Sequence, residues 1–170
     1  MRDLLREMIE AARVEERPAP RKRRPVFDLT DMAYQAILPF DSFAFERGIQ
    51  YETEIQEEAV CWGDAARVRQ VLTIMLDNAF KYVDEGGTIR VRVGMEGRRA
   101  VLEVGNSGPG IRAEDLPHIF ERFYRCDKGR RADGSYGLGL AIAKNIVREQ
   151  RGKLTVESQP GVWTCFRLVI

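Results

Sequence analysis

Two short alternating segments flanked by helical patterns place the strongest constraint on the fold. Apolar and polar residues alternate over residues 88–94 and again over residues 99–104, with a turn around Gly97 between them. Such alternation is typical of an antiparallel hairpin with one buried face. Before and after the hairpin, at residues 65–83 and 138–150, apolar side chains recur at helical spacing instead. These helices can cover the buried face of the hairpin, so the pattern predicts a layered α/β fold.

Weaker patterns add a helix and four strands to this unit. Residues 28–47 are predicted to form a helix that is capped by Asp28 and kinked at Pro39. Its inward side is expected to consist of Leu29, Ala33, Ala36, Phe40 and Phe43. The additional strands are predicted at residues 49–53, 59–62, 153–158 and 162–170. Because helices and hairpin strands are segregated along the chain, we expect a mixed sheet covered on one face by helices.

Composition restricts the functional classes that are open to the chain. Its 170 residues carry a formal net charge of +1, so no global attraction to nucleic acid or anionic lipid is expected. No apolar run approaches the roughly 20 residues that span a bilayer. The three cysteines, Cys61, Cys126 and Cys165, are too widely spaced for a metal motif or a disulfide framework. We therefore expect a reducing, cytoplasmic setting without direct contact to nucleic acid or membrane.

The first 26 residues differ from the rest of the chain. An apolar stripe with a period of about 3.5 residues is stopped by Pro18. We interpret residues 1–17 as the tail of a longer helix that pairs with another segment. Residues 18–26 combine prolines with four consecutive basic residues, which favours a solvated linker over a membrane or nucleic-acid contact. Residues 27–170 then form one domain.

Asn78 interrupts the apolar face of the helix at residues 65–83. Alone, an asparagine there is most often a satisfied polar residue. Lys81 and Tyr82 follow three and four positions later and therefore lie on the same side of the helix. An amide oxygen can ligate magnesium, while a lysine and a phenol can hold phosphate oxygens. The cluster thus has the chemistry of a metal–polyphosphate site.

Two glycine-rich segments follow along the chain. In the first, residues 104–111, Gly108 and Gly110 permit close approach of a flat ligand, and the amide of Asn106 can read a heterocycle edge, although a plain strand-ending turn fits equally well. In the second, Gly137 and Gly139 lead directly into a helix whose first N–H groups can meet phosphate. The second segment is neither a Walker P-loop nor a Rossmann turn, since it lacks GxxxxGK[ST] and follows a polar loop.

A mostly polar segment lies between the two glycine-rich turns. Phe120 and Phe123 are spaced to anchor it on the core, and Arg122 and Arg125 are placed to reach phosphates. Residues 126–135 are charged and contain glycine. This composition is typical of a lid that closes over a ligand and equally of a disordered loop.

Taken in order, these segments resemble the catalytic and ATP-binding domain of bacterial sensor histidine kinases. The sequence LDNAFKY is similar to the asparagine box of that family, NSGPGI to its first glycine box, IFERFYR to its phenylalanine box and GLGLAIAKNIV to its second glycine box. The resemblance covers residues 27–170. It implies a two-layer α/β sandwich, the Bergerat fold, with Mg-ATP held between the asparagine helix and the lid.

The resemblance also implies roles for individual residues. Asn78 would ligate magnesium, Asn106 would accept a hydrogen bond from the adenine amino group, and Lys81, Arg122 and Arg125 would assist phosphoryl transfer. Nucleotide contacts would be made by Asn78, Lys81, Tyr82, Asn106, Gly108, Gly110, Ile111, Phe120, Tyr124, Gly137, Leu138, Gly139 and Leu140.

Three positions depart from the family pattern. Asn106 stands where aspartate is usual, Ile74 where many relatives have a second asparagine, and Tyr136 where glycine or a small hydroxyl residue is more frequent. Isoleucine can neither ligate magnesium nor activate water, and Asp77 is expected to point about 100° away from Asn78 around the helix. We therefore expect transfer to a histidine rather than hydrolysis. A non-catalytic nucleotide-binding module is the alternative that Ile74 and Tyr136 leave open.

The resemblance extends to partners. Residues 1–17 would be the end of the dimerisation hairpin that carries the phosphoacceptor histidine, and His118 would be an ordinary residue of the lid. The chain would then phosphorylate the dimerisation domain of the same kinase and serve a response regulator indirectly. We expect this chain to be monomeric and its parent to be a homodimer anchored in a bacterial inner membrane.

Overall fold

The computed structural model describes residues 25–126 and 136–170. Outside these ranges lie the predicted helix tail at residues 1–17, residues 18–24 of the predicted linker and residues 127–135. In chain order the described residues form β1 (Val26–Asp28), α1 (Leu29–Ile37), α2 (Asp41–Glu46), β2 (Gln50–Ile55), β3 (Val60–Trp62), α3 (Ala65–Tyr82), β4 (Thr88–Glu96), β5 (Arg99–Ser107), α4 (Gly139–Glu149), β6 (Lys153–Gln159) and β7 (Trp163–Val169).

Five of the described strands form one mixed sheet in the order β2-β4-β5-β7-β6. β2 runs parallel to β4, whereas the other neighbouring pairs are antiparallel. β4 and β5 form the predicted hairpin, with Ile89 opposite Asn106 at one end and Glu96 opposite Arg99 at the other. The predicted mixed sheet is confirmed.

A separate two-stranded sheet is formed by β1 and β3, with Phe27 opposite Cys61. The sequence pattern does not predict β1, because three residues are too few to display an alternating period. Its first residue, Val26, precedes the predicted domain boundary by one position.

The helix predicted at residues 28–47 is broken in the structure. α1 ends at Ile37, and the 3-10 turn Leu38–Phe40 separates it from α2. The break falls at Pro39, because proline lacks the backbone N–H group needed to continue an α-helix and its ring clashes with the preceding turn. The break also rotates the following residues, so Phe43 is 57% exposed and its predicted inward position is wrong.

The predicted cap of α1 is present, and α3 also has a side-chain cap. The side chain of Asp28 accepts a hydrogen bond from the Asp31 N–H at 2.8 Å, and that of Asp64 accepts one from the Arg67 N–H at 3.2 Å. These bonds satisfy N–H groups that have no partner inside their own helices. The cap of Asp64 fixes the first residue of α3, the helix that carries Asn78.

The core lies between the helices and one face of the sheet. The helical layer contributes buried side chains that include Leu29, Ala33, Leu72, Met75, Ile142 and Ile146. The sheet contributes alternate residues of β4 and β5, among them Ile89, Val91, Val93, Leu102 and Val104. The molecule is therefore the predicted two-layer α/β sandwich.

The opposite face of the sheet carries charges of both signs. Arg167 contacts Glu96 at 2.6 Å and Glu103 at 2.5 Å, and Arg90 contacts Glu52 at 2.8 Å. These pairs are at least partly exposed, and such contacts contribute little to stability individually. Because positive and negative side chains alternate on it, this face of the sheet stays in contact with solvent. None of the helices in the described ranges is long and apolar enough to cross a membrane.

Candidate functional site

A cavity of about 460 Å³ lies between α3, the end of β5 and the start of α4. Most of the residues predicted to bind a ligand line its wall, namely Asn78, Lys81, Tyr82, Asn106, Gly110, Ile111, Tyr124, Arg125, Gly137, Leu138, Gly139 and Leu140. The fold thus brings the four sequence motifs together around one space.

The polar turn of α3 forms one wall of the cavity. Asn78 Nδ2 donates a hydrogen bond to the Ile74 carbonyl oxygen at 2.8 Å. A carbonyl oxygen can only accept, so this bond fixes the amide orientation and leaves Asn78 Oδ1 as the atom that can meet a cation. Lys81 Nζ lies 5.1 Å from the centre of the Tyr82 ring, which places a positive charge on the same turn.

Ile74 and Asp77 lie on the same wall as Asn78. A Cβ atom added to Gly139 would be 3.4 Å from Ile74 Cγ2, so α3 and α4 approach each other at an apolar contact. Asp77 lines the same cavity as Asn78, so this wall carries a carboxylate next to the asparagine. Burial raises the pKa of Asp77.

The inner end of β5 supplies a buried amide. Asn106 is 6% exposed, and its Nδ2 donates to the Ser107 carbonyl oxygen at 2.9 Å. This bond leaves Asn106 Oδ1 as an acceptor. Thr164 lies opposite Asn106 on β7 and also lines the cavity, and its hydroxyl is 2.9 Å from Ser158 Oγ. Sequence reasoning missed Thr164, because the pairing of β5 with β7 is not visible in a local pattern.

The first glycine segment is held close to two other parts of the backbone. A Cβ atom at Gly108 would fall 2.3 Å from the Tyr82 carbonyl oxygen, and one at Gly110 would fall 2.3 Å from the Gln159 carbonyl oxygen. Gly110 has a φ of +64°, which glycine adopts without strain. The Ile111 N–H donates to Ser158 Oγ at 2.8 Å and fixes the end of the segment.

The second glycine segment leads into α4 at the cavity. Gly137 has a φ of +72°, and a Cβ atom there would be 2.7 Å from the Tyr124 carbonyl oxygen. Gly139 and Leu140 form the first turn of the helix and line the cavity. Among the described residues, no side chain caps this helix. Its first N–H groups, at the positive end of the helix dipole, therefore suit an anionic ligand.

A hydrogen-bonded cluster that sequence reasoning missed completes the wall. The Asp115 side chain is 5% exposed and accepts hydrogen bonds from Arg112 Nε at 2.8 Å and Tyr124 Oη at 2.5 Å. These two donors hold the pKa of Asp115 below its usual value, and the Asp115 carboxylate raises the pKa of Tyr124 to about 12. The spacing of Arg112 and Asp115 gives a weak local signal, but their contact with Tyr124 requires the fold.

Three of the residues predicted to contact the nucleotide do not line the cavity, namely Gly108, Phe120 and Arg122. Gly108 packs against the Tyr82 backbone just behind the wall. Phe120 packs edge-to-face on Phe166, with 6.4 Å between ring centres, and thereby anchors its segment on the core. Arg122 is exposed and lies off the wall. Phe123 is 60% exposed, so its predicted role as a second anchor is wrong.

The remaining wall residues, which the sequence motifs did not single out as ligand contacts, are Pro109, Ile119, Cys126, Tyr136 and Phe166. Tyr136 is 43% exposed and Phe166 is 5% exposed, so the wall extends from the buried core to the solvent-exposed surface. An apolar floor with polar groups at its rim suits a ligand with a flat apolar part and a charged part.

The family model for histidine kinase-, DNA gyrase B- and HSP90-like ATPases matches residues 63–170. The chain belongs to this family. It represents the ATP-binding catalytic domain of sensor histidine kinases, as the four motifs predict.

Curated relatives and solved structures agree with this assignment. Sensor histidine kinase YkoH of Bacillus subtilis is 41% identical over 133 residues, which are 78% of this chain and 29% of YkoH. Sensor protein CiaH of Streptococcus pneumoniae is 37% identical over 145 residues, which are 85% of this chain and 31% of CiaH. The catalytic domain of histidine kinase ThkA superposes with a TM-score of 0.76 at 25% identity, covering 88% of this chain and 95% of that structure. The chain thus spans less than a third of either of these two relatives.

Proposed function

We propose that this domain binds Mg-ATP and transfers its γ-phosphate to a histidine presented by the dimerisation domain of the same kinase. The observation that carries the proposal is the convergence of Asn78, Asn106 and the uncapped start of α4 on one cavity. These groups provide a cation ligand, a base-recognition group and a phosphate-binding helix end. Phosphoryl transfer needs mainly such positioning and charge neutralisation from the ATP-binding domain.

Adenine recognition is assigned to Asn106. The bond from its Nδ2 to the Ser107 carbonyl oxygen directs Oδ1 as an acceptor for the exocyclic amino group of adenine. Guanine presents an acceptor at the corresponding position, so the fixed amide disfavours guanine. The positioned amide thus takes over the acceptor role of the aspartate usual in the family.

The phosphates and magnesium are assigned to α3 and the start of α4. Asn78 Oδ1 would hold magnesium, and its hard amide oxygen and the nearby Asp77 carboxylate fit a divalent cation. When bound, magnesium neutralises charge on the transferring phosphoryl group. Lys81 and Arg125 are the side chains that we assign to phosphate oxygens.

The phosphoacceptor is assigned to a separate domain. His118 lies 5.4 Å from the Tyr124 ring centre, its Nδ1 is 2.8 Å from Glu121 Oε1, and it does not line the cavity. We therefore propose that it is not the acceptor. By analogy with the sensor kinases, the parent protein would be a membrane-anchored homodimer that passes the phosphate to a response regulator.

Phosphate transfer in trans tests the proposal. The chain is mixed with a separately produced dimerisation domain of the same kinase, magnesium and labelled ATP, and acid-labile phosphate on the histidine is measured. We expect labelling, and we expect Asn78→Ala to weaken magnesium-dependent ATP binding by at least about tenfold. Asn145→Ala is the matched control, because Asn145 is a helical asparagine outside the cavity wall.

The same assay separates the kinase from its alternatives. ATP binding without transfer to a competent acceptor would favour a non-catalytic nucleotide-binding module, for which Ile74 and Tyr136 on the wall are the supporting observation. Rapid phosphate release without acceptor, abolished in Asp77→Asn, would instead favour hydrolysis with Asp77 as general base.

A further inference from the structure

We propose that β2 and the neighbouring flank of α1 form a docking site for an extended segment of a partner protein, which adds to the sheet as an additional strand beside β2. β2 is one of the two outer strands of the five-stranded sheet. The site lies apart from the nucleotide cavity, since no residue of β2 lines the cavity wall. The segment that fits it carries basic side chains at alternate positions and apolar side chains between them.

The free edge of β2 offers backbone groups for pairing. The N–H groups of Gln50 and Gln56 donate to carbonyl oxygens of β4 and of the residue before it, each at 2.8 Å. Because successive residues of a strand alternate, the backbone groups of Tyr51, Thr53 and Ile55 point away from the sheet. In the part of the chain that the structure describes, no backbone group is hydrogen-bonded to them. A partner strand can therefore pair with all three residues.

α1 starts beside the end of β2 and forms one side of the docking site. The Thr30 hydroxyl, in the first turn of α1, donates to the Gln56 carbonyl oxygen at 2.7 Å, and Tyr34 Oη donates to Glu57 Oε1 at 3.3 Å. Tyr34 is 38% exposed, and Leu38, whose N–H donates to the Tyr34 carbonyl oxygen one turn later, is 57% exposed. An added strand directs every second side chain toward the helices, where these two residues offer an apolar contact.

The outer face of β2 is acidic and selects the charge of the partner. Glu52 and Glu54 are both exposed on this face. Glu52 contacts Arg90 at 2.8 Å, whereas Glu54 has no ion pair among the described residues. Arg92 lies opposite Glu54 on β4 but contacts glutamates of β4 and β5 instead. Since opposite charges on adjacent strands stabilise their pairing, a lysine or arginine beside Glu54 fits this edge.

A second copy of this chain fits the edge poorly. Antiparallel pairing of two copies of β2 about Thr53 would place Glu52 of each chain opposite Glu54 of the other. Like charges directly opposite each other destabilise strand pairing. β2 also contains neither lysine nor proline, the residues that commonly block an exposed edge. The occupant is therefore a different polypeptide of opposite charge.

A synthetic peptide tests the docking site. The probe alternates lysine and valine over about seven residues, the length that spans β2, and is titrated into the isotope-labelled whole chain. We expect the NMR amide signals of Tyr51, Thr53 and Ile55 to shift. In an antiparallel pair only the valines turn their N–H groups toward β2, so N-methylation of the valines should lower the affinity at least about tenfold. N-methylation of the lysines is the matched control and should leave the affinity unchanged.

Substitutions in the chain test the same contacts from the other side. Thr53→Pro removes an N–H group that has no partner inside the domain, so the melting temperature should change little while the affinity for the probe falls at least about tenfold. Glu54→Lys should lower the affinity about fivefold. Glu157→Lys, an exposed glutamate on the other outer strand, is the matched control and should have little effect.

Three results would overturn the proposal. Binding that neither methylation pattern affects would exclude strand pairing. Equal losses in Glu54→Lys and Glu157→Lys would show a general attraction of the basic peptide to the protein. Dimerisation of the chain without peptide, abolished in Thr53→Pro, would make a second copy the occupant of the edge.

Discussion

At the scale of single residues, glycine is required near the cavity where another backbone segment lies too close for a Cβ atom. Gly110 and Gly97 have nearly the same φ, +64° and +63°, but only Gly110 faces another backbone atom, the Gln159 carbonyl oxygen. An alanine at either position has to adopt this left-handed conformation, which costs about 1–2 kcal/mol. Gly110→Ala must also displace the Gln159 backbone, which overpacking data place at about 1–3 kcal/mol more.

We therefore predict that Gly110→Ala lowers the free energy of unfolding by about 2–5 kcal/mol and that Gly97→Ala lowers it by about 1–2 kcal/mol. Urea denaturation of the two variants measures the difference. Equal losses would show that the loop at Gly110 relaxes freely and that its approach to β6 carries no energetic weight.

Two aspartates on the cavity wall should respond to pH in opposite directions. The pKa of Asp115 is lowered by Arg112 and Tyr124, so its contribution to stability is present at neutral pH and is lost as pH falls below about 4. The pKa of Asp77 is raised by burial, so its ionisation opposes folding as pH rises through that raised value. Asparagine at either position does not titrate.

Melting temperatures of Asp115→Asn and Asp77→Asn between pH 3 and 7 test this contrast. We predict that Asp115→Asn is less stable than wild type at pH 7 and that the gap narrows as pH falls toward about 3. Asp77→Asn should be more stable than wild type at pH 7, with a gain that disappears at low pH. A gap that is independent of pH would mean that the change of shape, and not of charge, causes the effect.

At the scale of secondary-structure elements, α3 both packs in the core and carries several of the residues that line the cavity. Asp64 caps its first turn, whereas Asn78, Lys81 and Tyr82 lie in its last turns. We predict that Asp64→Ala costs about 1 kcal/mol of stability and that Asp64→Asn costs only a few tenths, because asparagine is also a good cap. Nucleotide affinity should be unchanged in both variants, since the functional turn lies at the other end of the helix. Calorimetry with ADP checks the affinity, and a loss in Asp64→Ala alone would show that fraying reaches the site.

Elements with long periodic patterns could be predicted from the sequence, and those set by contacts between distant segments could not. α3 was expected at residues 65–83 and is observed at Ala65–Tyr82, because a cap, an apolar stripe and a following turn all agree. β1 has three residues, and only its pairing with β3 defines it. The order of the sequence motifs predicts that Asn78 and Asn106 belong to one site. Thr164 and Asp115 line the cavity because of a strand pairing and a buried hydrogen bond, and neither is visible in a local sequence pattern.

At the scale of the whole molecule, we predict that the boundary of the folded unit lies at β1. The Gly63 N–H donates to the Pro25 carbonyl oxygen at 2.9 Å, and the Leu29 N–H donates to the Ala59 carbonyl oxygen at 2.8 Å. Phe27 packs on the core, and Asp28 caps α1. Residues from position 25 onward therefore contribute to stability through contacts that the structure defines.

Two truncations test this boundary. A chain that begins at Pro25 should keep the nucleotide affinity and the unfolding free energy of the whole chain, because every contact of β1 is retained. A chain that begins at Leu29 loses the partly buried Phe27 side chain and the Asp28 cap. Full burial of such a side chain is worth about 1.5–3 kcal/mol and a cap about 1 kcal/mol, so the unfolding free energy in urea should fall by more than about 1 and less than about 4 kcal/mol. A comparable loss already in the chain that begins at Pro25 would place residues 1–24 within the folded unit and would move the domain boundary toward the N-terminus.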